Sequence, residues 1–162
     1  ILKNPKGGAA AIAGSIVQSA YTEYTGIPAP ITAIIPADDT IPQNTEGAAV
    51  FESAAFTPTN ASNKLRVRVL MPTVGINVLG QTVLALFRDS TANAVAAHEI
   101  TSTYRFNMGL EHEEVAGSTS ATTFKVRIGT AGGDTLTVNG AGRARILGGA
   151  IGCTIVIEEI KV

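Results

Sequence analysis

Polar and apolar residues alternate with a period of two along most of the chain after Val50. In "KLRVRVLM" (64–71) Leu65, Val67, Val69 and Met71 fall on one side and Lys64, Arg66 and Arg68 on the other. "TFKVRI" (123–128) repeats this with Phe124, Val126 and Ile128 against Lys125 and Arg127, and "TYRFNMGL" (103–110) places Tyr104, Phe106, Met108 and Leu110 inward. Successive strand residues point to opposite faces, so these segments predict antiparallel strands with one face in a core. "TLTVNGAGRARIL" (135–147) predicts a hairpin whose turn opens at Asn139-Gly140. "CTIVIEEIKV" predicts a closing strand whose alternation slips at Glu158-Glu159, as at a bulge or strand end. Before Val50 a helix over 9–21 would align Ile12, Ile16 and Ala20, but Gly14 and the β-leaning "SIVQSAYTEYT" favour a strand from about Ser15 to Thr25.

"QTVLALFRD" (81–89) departs from this pattern. Val83, Ala85 and Phe87 occupy one face and Leu84 and Leu86 the other, which describes a strand covered on both sides. In a small two-sheet sandwich the second cover is expected from another subunit, making Val83, Leu84, Leu86 and Phe87 candidate interface residues. With about eight to ten strands separated by Gly, Pro, Ser, Thr and Asn clusters, the fold class is all-β, an antiparallel β-sandwich.

Composition supports a buried interface. Charged residues make up 15% of the 162 residues and hydrophobic ones 45%, against about 25% charged in ordinary soluble domains. Twelve Lys and Arg nearly balance thirteen Asp and Glu, so no net field draws the chain to nucleic acid or an anionic membrane. No apolar run reaches the roughly 18 residues of a membrane helix. The small-residue segment "KGGAAAIAGS" (6–15) reads as a linker or stem, and a chain that starts at Ile1 is expected to be a processed or trimmed C-terminal piece with no signal peptide. The one cysteine, Cys153, lies in an apolar strand pattern and reads as a small buried hydrophobe.

Candidate chemistry is sparse. Asp38-Asp39, between Pro36 and Pro42, is a pair of adjacent carboxylates, yet a glycosidase pair stands roughly 5–9 Å apart across a cleft and normally comes from different strands. A D-x-[DN]-x-[DN]-G calcium loop is absent, which leaves a structural turn as the favoured reading, with an ion site as the lesser one. His98 and His112 are the only histidines, with no HxH or HExxH spacing for zinc. No serine stands in G-x-S-x-G, and the glycine-rich "GTAGGD" (129–134) and "GAGRARILGG" (140–149) lead into strands rather than helices, so they read as hairpin loops and not phosphate cradles. "NAS" (60–62) fits the short glycosylation sequon. The outward rows Lys64, Arg66, Arg68 and Lys125, Arg127 should be met by carboxylates, with Glu111, Glu113, Glu158 and Glu159 as the supply. No catalytic, cofactor-binding or metal-ligating residue is assigned.

One order of segments carries a likeness: "DDTIPQNTEG" (38–47), "FTPTNASNKLRVRV" (56–69), "LALFRDSTANAVAA" (84–97), "LEHEEVAGSTSATTFKVRIG" (110–129) and "TLTVNGAGRARILGGAIGCTIVIEEI" (135–160). Over residues 15–162 the chain resembles the C-terminal domain of tail-fibre and other virion proteins of tailed bacteriophages; residues 1–14 look like the end of a preceding stem. The resemblance implies a jelly-roll-like sandwich, a homotrimer on the virion exterior, and no shared catalytic motif. In such domains "DDTIPQNTEG" connects early strands, which places Asp38 and Asp39 in a turn or subunit contact. The expected role is host-surface attachment as the distal domain of a tail fibre, with a host glycan or protein contacted by the loops 72–80, 99–103 and 129–134. Other virion proteins would be met through the stem. The alternatives are a capsid decoration or head or neck fibre protein and, behind both, a polysaccharide-degrading enzyme.

Overall fold

A computed structural model describes residues 12–162. The stem expected over 1–14 lies outside the described residues as far as residue 11. The described chain forms β1 (Ile16–Tyr24), β2 (Ala48–Glu52), β3 (Lys64–Ile76), β4 (Gly80–Arg88), β5 (Ala96–Ser102), β6 (Arg105–Val115), β7 (Phe124–Thr130), β8 (Leu136–Val138), β9 (Gly140–Ala141), β10 (Ala144–Arg145) and β11 (Cys153–Ile160), with one 3-10 turn at Leu147–Gly149. One sheet runs β1-β11-β3-β6, with β8 added to the far end of β3, and the other runs β2-β7-β4-β5. A separate two-stranded hairpin pairs β9 with β10; that hairpin and β4–β5 excepted, the chain crosses between the two large sheets at nearly every connection. These two four-strand orders are jelly-roll connectivity, and the all-β sandwich read from the alternation is the observed fold.

The inward parities lie where the period-two pattern put them. Leu65, Val67, Val69 and Met71 of β3 pack in one core with Leu84 and Leu86 of β4, Phe124, Val126 and Ile128 of β7, and Cys153, Ile155 and Ile157 of β11. The register of β3 on β6 slips between Met71 and Val74, so Val74 and Ile76 return to the inward face. Pro72 sits in that slip, where its missing N–H interrupts no ladder bond.

Strand β4 is buried on both faces, as its sequence requires, but the second cover comes from the chain itself. Val83, Ala85 and Phe87 form a separate small core with Ile35. The segment 31–47 crosses the outer face of the β2-β7-β4-β5 sheet as a strap: the Ile35 amide donates to the Thr130 carbonyl, the Thr130 amide to that of Ala33, and the Ala94 amide to that of Pro42. The strap passes so close that a Cβ on Gly129 would stand 2.8 Å from the Ala33 carbonyl oxygen and the Ile35 nitrogen. Arg127 fastens its end, donating from Nε to the Glu46 carbonyl (2.6 Å) and from Nη2 to that of Gly47 (2.7 Å). The argument that placed Val83 and Phe87 against a second subunit is therefore corrected. The four interface candidates on this strand, Leu84 and Leu86 included, are buried within one chain, while the other two, Asp38 and Asp39, are exposed.

Three local expectations change. Asn139-Gly140 is not the hairpin turn: the β9–β10 turn is Gly142-Arg143, both with positive φ (58° and 67°), the primed geometry that two-residue hairpins favour. Asn139 is instead a buried tie, donating from Nδ2 to the carbonyls of Tyr24 and Gly26 (2.9 Å each) and accepting from the Cys153 thiol (3.2 Å). Tyr104, expected inward, is 64% exposed because the β5–β6 turn holds it at φ 65°. The third change concerns β11, whose alternation does not slip. Glu159 keeps the inward parity of Cys153, Ile155 and Ile157, and the bulge lies on the partner strand β1, between Ile16 and Gln18.

Candidate binding cleft

The charged face read from the sequence forms on the outside of the β1-β11-β3-β6 sheet. Arg66 stands opposite Glu113 on β6 and Glu158 on β11, and Arg68 opposite Glu111. Lys64 Nζ reaches Glu113 at 2.7 Å, Arg66 Nη2 reaches Glu113 at 3.2 Å, and Arg68 Nη2 reaches Glu158 at 2.7 Å. Hydrogen bonds from Lys64 and Arg66 hold the Glu113 carboxyl below its ordinary pKa. Three of the four expected carboxylates, Glu111, Glu113 and Glu158, thus meet the arginine row.

Glu159 does not join them. It is fully buried and accepts from the Thr59 amide and hydroxyl, the Asn60 amide, Asn63 Nδ2 (2.7 Å) and Gln18 Nε2 (2.7 Å). Burial by itself would raise its pKa, but these donors outweigh it and bring the carboxyl down to about 2. The arrangement pins the 57–63 loop onto the last strand, so the residue is structural.

Asp38 and Asp39 answer as a turn. Asp38 Oδ1 accepts from the Thr40 amide (2.9 Å) and the Thr40 hydroxyl (2.5 Å), an Asx turn whose bonds lower the Asp38 pKa. Among the described residues no group of three or more His, Cys, Asp or Glu is placed to hold a metal ion. His98 is exposed on β5, and His112 lies 3.3 Å from Glu114, so the two histidines and the aspartate pair are not brought into one site. Burial raises the Cys153 thiol to about 12, which keeps it protonated and unreactive.

A second group of polar side chains gathers on the outer face of the β2-β7-β4-β5 sheet. A cleft of about 480 Å³ opens there beyond the edge of the strap, lined among others by Asn44, Glu52, Phe87, Asp89, Lys125 and Arg127. Its geometry follows from two backbone devices. Register between β2 and β7 slips at Val50, so Ala49 faces Arg127 and Glu52 faces Lys125 with an extra residue between them. At the end of β4, Asp89 turns the chain with φ 51° and is held by the Thr122 hydroxyl (2.8 Å) and the Thr123 amide (2.7 Å). Burial opposes its ionisation, but those two donors and the Arg88 charge keep its pKa below the ordinary value. Asn44 is fixed by its own amide on the Ala92 carbonyl and by Nδ2 on that of Thr91 (2.9 Å). The row Lys125 and Arg127 was expected to meet carboxylates. Arg127 instead binds the strap carbonyls, and Lys125 makes no ion pair among the described residues. Sequence reading missed the cleft because its members come from three separate segments; the one local signal was the pair of cations on a strand with no acidic neighbour in "TFKVRI".

Of the expected loops 72–80, 99–103 and 129–134, much is strand, with 72–76 in β3, 99–102 in β5 and 129–130 in β7. The three segments do converge, since Gly80 pairs with Ser102, Thr82 with Thr130, and Asn77 Oδ1 accepts the Thr135 amide at 2.8 Å. They lie at the start of β4, the opposite end of the sheet from the cleft.

No protein-family model matches the chain. No curated protein matches it in sequence. Among solved structures it is similar to the sugar-binding C-terminal domain of EclA (10% identity, 85% of each chain, TM-score 0.38). It is also similar to the xylan-binding CBM22-1 domain of Paenibacillus barcinonensis Xyn10C (13% identity, 94% of this chain and 99% of that one, TM-score 0.43). A third likeness is to a structure of infectious bursal disease virus, Gx strain (16% identity, 100% of this chain and 40% of that one, TM-score 0.37). At these scores none of the three bears on what this chain does.

Proposed function

We propose that the chain is a structural and adhesive module of a tailed-bacteriophage virion exterior, the distal domain of a tail fibre, which attaches the particle to the host surface and catalyses no reaction. It works as a homotrimer joined to other virion proteins through the segment that precedes the sandwich. The observation that carries the reading is the cleft. Asn44, Asp89 and Arg127, each fixed by hydrogen bonds to its neighbours, line one open cleft beside Lys125, which makes no ion pair among the described residues. Rigid polar groups of this kind bind surface ligands at low ordering cost. The resemblance of these segments to virion fibre domains supports an exterior location.

A second reading, a decoration or head-fibre protein that binds other virion proteins, draws on the opposite face, where Tyr21 (63% exposed) stands opposite Val156 and Leu70 (49%) opposite Thr154. The deciding experiment incubates fluorescently labelled domain with a panel of bacterial strains and follows binding by flow cytometry. Saturable binding to one or more strains without release of surface polysaccharide fragments is the expected result. Binding to purified virion proteins and to no cells would replace this reading with the second, and fragment release would replace it with a degrading enzyme.

A further inference from the structure

We infer that the cleft at the β2 bulge is a saccharide subsite, selective for neutral sugars over uronates and amino sugars. The inference rests on the attachment reading and names its ligand class. Two cations, Lys125 and Arg127, and two carboxylates, Glu52 and Asp89, line the same opening. An anion would gain from the first pair and be repelled by the second; a cation would meet the reverse. A hydroxyl group both donates and accepts, so a run of hydroxyls can answer both signs at once. Charge-assisted bonds of this kind are stronger than neutral ones.

The apolar part of the lining fits the same ligand. Ala49 and Val50 form an apolar wall at the bulge, while Phe87, 1% exposed and beside Lys125 in the register of β4 on β7, closes the cleft from below without offering surface of its own. A sugar ring presents C–H faces to such a surface while its hydroxyls reach the rim. Preorganisation is built in. Asp89 is held by the Thr122 hydroxyl and the Thr123 amide, Arg127 by two strap carbonyls, and Asn44 by the Thr91 carbonyl. Lys125 and Glu52, one residue pair across the β2–β7 ladder, are the members free to adjust. The volume, about 480 Å³, falls in the range of small-ligand sites and suits one or two sugar rings.

The test titrates isotope-labelled protein with three sets of oligosaccharides, neutral, uronate-bearing and amino-sugar-bearing, and reads amide shifts by NMR. Cell binding of the same samples is measured in parallel. Neutral oligosaccharides should shift residues 44, 49–52, 89–90 and 125–127. Lys125→Ala and Glu52→Ala should each weaken that binding about tenfold or more, while Tyr21→Ala, on the other sheet, leaves it unchanged. Spectra of the two cleft variants that match wild type outside the cleft establish that they fold. Preference for the uronate or amino-sugar set, or saccharide binding that both cleft variants retain, overturns the inference. Cell binding that persists with no response to any saccharide set also overturns it and leaves the attachment reading standing. Failure to bind any cell or any saccharide removes both.

Discussion

The two sheets of the sandwich carry the same inward alternation and opposite kinds of outer face. On β1-β11-β3-β6 the outward residues include Lys64, Arg66, Arg68, Glu111, Glu113 and Glu158, interleaved in sign across three strands and left to solvent. On β2-β7-β4-β5 the outward residues Val83, Ala85 and Phe87 are apolar and lie under the strap 31–47, and the cleft begins where the strap ends. The first face stabilises by cross-strand pairing, which water weakens; the second by removing apolar surface from water, which is worth far more per residue. A face covered by its own chain can also hold polar groups rigidly at the margin of that cover, and that is where the cleft lies.

The comparison breaks most readily at Phe87. Phe87→Ala should cost about 3–5 kcal/mol in chemical denaturation, the range for emptying a well-packed aromatic site. Leu70→Ala, on the exposed face, should change stability by less than about 0.5 kcal/mol. Equal costs would mean that the strap does not seal its sheet.

A smaller effect is expected where a charge is buried. Glu159→Gln replaces an acceptor of five donors with a group that must turn an NH₂ toward some of them, a loss of about 1–3 kcal/mol. The pH profile sharpens this. The folded carboxyl titrates near 2, below the unfolded value of about 4.3. Its stabilisation is therefore complete above that unfolded value and lost as pH falls through about 2. Thermal melts of wild type should show that acid-side decline, and the Gln variant should show less of it.

The exposed ladder comes next. Arg66→Glu combined with Arg68→Glu places like charges opposite one another and should lower the thermal midpoint by roughly 3–6 °C at low salt, with much of the deficit recovered near 1 M salt. Either substitution alone should be hard to resolve. Smallest of all, Asp38→Asn with Asp39→Asn should leave the midpoint within about 2 °C, because Asn closes the same Asx turn. A large drop, measured by the same melts, would show that the strap depends on the carboxylates themselves.

What the sequence determined by itself is what short-range chemistry determines. Alternation set the strands and their core faces, because side-chain direction in a strand depends on parity alone: Leu65, Val67, Phe124, Val126 and Ile155 could face no other way once the segments were extended. Opposite charges at matching parity likewise foretold the arginine ladder. The signal for Glu159 was also present, since it continues the parity of Ile155 and Ile157, but a carboxylate is stable inward only when donors arrive to meet it. Here they arrive from the 57–63 loop, about a hundred residues away along the chain. The cover over Val83 and Phe87 has the same character: the pattern required one, and the fold chose Ile35 of the same chain because the strap could hydrogen-bond to the end of β7. The cleft exists for a third such reason. A bulge in β2, a left-handed turn after β4 and two cations on β7 meet only when the sheet assembles, and no local rule brings them together.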